Sequence, residues 1–173
     1  MNRCMDQRLA ELVGRAMRYV PESLIELAPV DWFLGSDPVF AGLHRFDKSA
    51  TGVALHGAGA APHYAYADTQ LHRPRAARTP TIVFPAGDHH WYDHHAWWLI
   101  HAVLHEFGHA VQDASEANLR TTWWADPVSE YAKTSHREAY ADAFSDWRCG
   151  YYDHRVLADR ATVARFKLIT HRS

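Results

Sequence analysis

The stretch Asp93–Ala117, DHHAWWLIHAVLHEFGHAVQDASEA, decides how the chain is read. Asp93 is a candidate N-cap, and Trp97, Ile100, Leu104, Gly108 and Val111 recur at three- and four-residue steps along one side, which predicts a helix. Within it, His105, Glu106 and His109 have the spacing H-E-x-x-H. Residues four apart share a helix face, so the two imidazoles can converge on one ion with Glu106 beside it. Zinc suits neutral imidazoles, takes a roughly tetrahedral shell and leaves an open position for water. The chain carries 14 histidines, so chance alone yields this spacing in roughly one such sequence in twenty. The context favours a built site: the motif sits inside a strong helical pattern, follows a short strand, and has Gly108 where helices pack closely.

Upstream, Asp6 to about Val20 repeats apolar residues at helical spacing and is closed by Pro21, which predicts an amphipathic helix packed on a sheet. The following segment fills with Gly, Pro and aromatics. Short strands are predicted near Val30–Leu34, Gly42–Phe46, Gly52–His56 and Tyr64–Asp68, with turns at Gly35–Pro38 and Gly57–Gly59. LHRPRAARTP is a basic, proline-flanked loop, and TIVFP after it predicts a strand at or near a sheet edge. Downstream, a loop around RTTWWADPVSEYAKTS leads to a second helix, HREAYADAFSDWRC, capped by Gly150, and a last helical segment near HRVLADRATVARFKLI. This order predicts an α+β class with no internal repeat, in one domain spanning residues 1–173.

Two histidines hold an ion poorly, so a third ligand is needed. The metzincin pattern would place Gly and His where Gln112 and Ser115 stand, and is excluded. His101 lies one turn before His105, but three ligands along one straight helix spread over about 12 Å, which makes it a packed or supporting residue. Glu138 and Asp142 remain, one turn apart on the second helix; one can ligate while the other supports.

H-E-x-x-H followed by a downstream helical glutamate resembles the gluzincin metallopeptidases. The finer pattern SEYAKTSHREAYADAF is similar to the group of anthrax lethal factor catalytic domains and Pro-Pro endopeptidases. In that group a Tyr-Ala pair precedes the ligand glutamate by seven residues and an acidic residue follows it by four, as Tyr131-Ala132, Glu138 and Asp142 do here. The resemblance covers roughly residues 81–150, and Asp142 stands where a glutamate is usual. It implies a zincin-like fold: a small, mostly antiparallel or mixed sheet, an active-site helix and a C-terminal helix carrying the third ligand. It also implies His105, His109 and Glu138 as zinc ligands, Glu106 as general base, Tyr131 as a donor to the transition state, and Asp142 as a buttress to a ligand histidine.

Composition narrows the function. A formal charge of −2 gives no global drive toward nucleic acid or anionic lipid. Arg73, Arg75 and Arg78 in one loop are weak grounds for such binding. Cys4 and Cys149 are the only cysteines and predict free thiols. No apolar run reaches the roughly 20 residues of a membrane span and the N-terminus lacks a continuous apolar region, which predicts a cytoplasmic protein. His89, His90, His94 and His95 read as a solvated turn rather than an accessory metal site. The expectation is a zinc-dependent endopeptidase acting on a peptide or protein, with Zn2+ as cofactor and TIVFP at or beside the strand against which substrate lies. The alternative is a zinc-binding module of the same fold without proteolysis, against which Glu106 argues, because a structural zinc needs no base.

Overall fold

The computed structural model describes residues 7–34, 63–65, 81–84, 96–119 and 126–171. The predicted strands at 42–46 and 52–56, both predicted turns, the arginine loop, the histidine run at 89–95, Asp93 and Cys4 lie outside the described residues.

In chain order come α1 (Gln7–Met17), α2 (Glu22–Leu27), β1 (Asp31–Leu34), β2 (His63–Ala65), β3 (Thr81–Phe84), α3 (Ala96–Leu119), α4 (His136–Cys149) and α5 (Arg160–His171). Single 3-10 turns at Tyr131–Thr134 and Arg155–Ala158 precede α4 and α5. The strands are ordered β1-β3-β2, with β1 parallel and β2 antiparallel to β3. TIVF is therefore flanked on both sides, and the edges of this patch are β1 and β2.

The α+β zincin-like expectation, in which a sheet forms a layer of the fold, is corrected by this arrangement. The described residues are predominantly helical. Strand is confined to pieces of four, three and four residues, and the core among the described side chains is supplied by helices and their turns. The reason lies in α3, where every residue from Leu99 to Asp113 is buried. A helix covered on all sides needs neighbours around it, and α1 and α4 supply them. The stripe of α1, with Val13 and Ala16 buried, packs on α3 rather than on a sheet. The first helix ends at Met17, short of the predicted Val20, and Pro21 instead stands at the N-cap of α2, whose Leu24 reaches the same core.

The α3–α4 contact positions the site. A Cβ on Gly108 would stand 3.1 Å from Ala141 Cα and 3.2 Å from Phe144 Cβ, so the two helices approach as closely as a glycine allows. Ser135 caps α4 by accepting the Glu138 N–H at 3.2 Å. Gly150 ends it with a left-handed φ of 71°. Arg137 on α4 donates to the buried Asp113 carboxylate of α3 at 2.9 Å. The far end of α4 is held through Arg148, which stacks on Trp147 and donates to the Tyr19 carbonyl. Trp147 in turn stacks on Phe166 of α5, with centroids 4.9 Å apart. Cys149 is a buried free thiol. Among the described residues no helix is long and apolar enough to cross a membrane.

Candidate metal centre

α3 and α4 face each other with matching four-residue steps: His101, His105 and His109 on one, Glu138 and Asp142 on the other. His105 Nε2 lies 3.0 Å and His109 Nε2 3.6 Å from Glu138 Oε2. These three donor atoms lie within 4.8 Å of one another. Nitrogen and oxygen ligands about 2.0–2.1 Å from a tetrahedral ion stand about 3.3–3.4 Å apart, so this donor set fits a metal ion in number, type and spacing.

The other face of His105 is fixed as well. Its Nδ1 donates to Asp142 Oδ1 at 2.7 Å. This is the support metal-ligating histidines commonly receive, because it sets the tautomer and turns Nε2 toward the ion. Asp142 is 1% exposed, and its second oxygen accepts from Ser129 Oγ and, at 3.3 Å, from the Tyr152 hydroxyl. Ser129 Oγ also accepts the Ala132 N–H at 2.9 Å, which anchors the turn bearing Tyr131.

Charge follows this geometry. Burial disfavours the charged form of His105, but hydrogen bonds to Asp142 and Glu138 and the Glu106 charge outweigh it and push the ring up to about 10. Burial holds His109 down to about 4, against its hydrogen bond to Glu138. Burial raises Glu138 and Asp142, yet their histidine partners take both below the usual carboxylate range. The two carboxylates thus favour positive charge at His105, and a divalent cation bound there would compete with a proton.

Each residue predicted for the site is accounted for. His105, His109, Glu138 and Asp142 come together as anticipated. Glu106 is 8% exposed, and its charge reaches both His105 and the Tyr131 phenol. Tyr131 is 58% exposed and so is not packed in the core. Its ring centre stands 6.0 Å from that of His105, at the mouth of the cluster. Burial, then the charges of Glu138 and Glu106, push its phenol up to about 12, so it remains a proton donor at neutral pH. His101 sits beside the cluster: Nδ1 lies 2.8 Å from Ser145 Oγ, Nε2 lies 3.7 Å from Asp142 Oδ1, its ring stacks on Tyr151, and with His105 and Asp142 it forms a second set of donor atoms within 4.8 Å of one another.

Ser129, Ser145, Asp146 and Tyr152 were not anticipated. One signal was present: Glu138, Asp142 and Asp146 recur at four-residue steps, and Asp146 is fully buried. Comparison with known proteins finds no family model, curated protein or solved structure that matches the chain.

Proposed function

We propose that this protein is a zinc-dependent endopeptidase with a gluzincin-type ligand set. The observation that carries the reading is the coincidence, in one buried cluster, of His105, His109 and Glu138 with a carboxylate, Glu106, that the metal does not need as a ligand. His105, His109 and Glu138 would hold the ion, and Asp142 would keep His105 in its ligating tautomer. When bound, zinc supplies polarisation of the scissile carbonyl and acidification of a water.

The chain's own residues do the rest. Glu106 takes the proton of the attacking water as the carbon–oxygen bond forms, and delivers it to the amide nitrogen as the carbon–nitrogen bond breaks. The products are a carboxylic acid and an amine, and Glu106 returns to its starting state. Tyr131, exposed at the mouth and still protonated, donates a hydrogen bond to the carbonyl oxygen as negative charge develops there. The test is cleavage of an unbiased peptide library by wild type and by Glu106→Gln: cutting by wild type alone supports the proposal, and equal cutting by both refutes the role of Glu106.

A further inference from the structure

Glu138, Asp142 and Asp146 share one face of α4 at successive turns. The third of them builds a turn. Asp146 Oδ1 accepts the backbone N–H of Tyr152 at 2.7 Å and of His154 at 3.1 Å, and Oδ2 accepts that of Val156 at 2.8 Å. In that turn Asp153 and His154 both adopt left-handed φ, 58° and 57°, a conformation costly for side chains other than glycine. The buried carboxylate thus holds an unfavourable backbone path, and the path returns one side chain to the metal centre.

That side chain is Tyr152, whose hydroxyl lies 3.3 Å from Asp142 Oδ2 and 3.4 Å from His101 Nε2. Counting protons shows why a donor is needed there. Ser145 Oγ donates its one proton to the His101 carbonyl at 3.1 Å, so at 2.8 Å it accepts from His101 Nδ1. Neutral His101 then presents a bare Nε2 toward Asp142 Oδ1, 3.7 Å away. His101 Nε2 therefore gives Asp142 no proton, and the Tyr152 hydroxyl, 3.3 Å from Oδ2, supplies one instead.

We infer that Tyr152 is a positioning residue of the metal centre: its hydroxyl, together with Ser129, fixes the Asp142 carboxylate in the orientation that holds His105 Nδ1–H and directs His105 Nε2 at the ion. The inference rests on the proposed metal site and extends it by one layer. Tyr152 touches neither ion nor substrate; it acts through Asp142.

The test uses the full chain, with zinc alone as the probe. Tyr152→Phe keeps the ring against Tyr151 and His101, whose centroids lie 5.0 and 5.2 Å away, so the metal-free protein melts close to wild type. Zinc affinity, measured by chelator competition, falls about tenfold or more, and the His105 Nδ1–H resonance exchanges faster with water. Unchanged zinc affinity and an unchanged resonance overturn the role of Tyr152. Wild type that binds no zinc would sink the metal centre itself, whereas an Asp142→Asn variant that keeps full zinc affinity would overturn the orienting role of Asp142 through which Tyr152 acts. Should the phenylalanine variant fail to fold, wild type decides. A Tyr152 hydroxyl proton in slow exchange supports the inference, and one exchanging as fast as a free phenol overturns it.

Discussion

His105 and Asp142 are joined by a 2.7 Å hydrogen bond from Nδ1 to Oδ1, and this leaves His105 Nε2 facing Glu138 Oε2 at 3.0 Å. One side chain thereby links the carboxylate that orients it to the carboxylate that shares its proposed ion. Replacing Asp142 by asparagine removes the charge that fixes the tautomer. Zinc affinity should fall about 10- to 100-fold, as for other outer partners of ligating histidines. Chelator competition measures this, and lowering the pH should weaken zinc binding in wild type because the ligands must shed protons.

Gly108→Ala tests how far the site depends on the close approach of α3 and α4. The new Cβ would meet Ala141 Cα at 3.1 Å and its carbonyl oxygen at 3.3 Å, and backbone atoms yield only if the helices separate. Alanine gains about 1 kcal/mol of helix propensity, whereas overpacking costs about 1–3 kcal/mol. The expected net effect is a modest loss in denaturant midpoint with weaker zinc binding, since His105 and His109 would move away from Glu138. A more stable variant with unchanged zinc affinity would contradict this.

Asp146→Asn tests the turn that follows α4 in the metal-free chain. The carboxylate accepts three backbone N–H groups, and an amide can accept on only one of its two heads, leaving a donor against a donor. The cost is about 1–3 kcal/mol. It should be seen in chemical denaturation of the metal-free chain.

Asp159 governs acid sensitivity at the start of α5. Its Oδ1 accepts the N–H of Ala161 at 3.0 Å and of Thr162 at 3.2 Å, and the Thr162 hydroxyl donates to Oδ2. Burial raises this carboxyl, but those hydrogen bonds together outweigh it and hold it below its ordinary 3.8. A carboxyl depressed in the folded state stabilises above its unfolded value, and the stabilisation is lost as pH falls from about 3.8 through the folded value. Asp159→Asn should keep the cap and remove this dependence, while Asp159→Ala loses about 1 kcal/mol already at neutral pH. Urea midpoints across the acid range distinguish the two.

What could be read from the sequence was local. His105 and His109 follow from helical spacing, Gly150 from its need for left-handed φ, and the bounds of α4 from a run that ends at that glycine. Glu138 and Asp142 were both visible as candidates, and the resemblance assigned their roles. The sheet layer was misjudged because α1 carries the same stripe whether it meets a sheet or a helix, and only α3, buried all round, decides between them. Tyr152 was not legible at all. It is held in a turn by the buried Asp146 carboxylate six residues earlier, next to two non-glycine residues in left-handed conformation.

In the proposed centre α3 and α4 together hold one zinc ion through His105, His109 and Glu138. Metal analysis of wild type and Glu138→Ala, each purified metal-replete and passed over the same chelating resin, tests it most directly. Near-stoichiometric zinc in wild type and its loss from Glu138→Ala are the expected result. Wild type without zinc, or a Glu138→Ala variant that keeps it as firmly as wild type, would contradict the assignment.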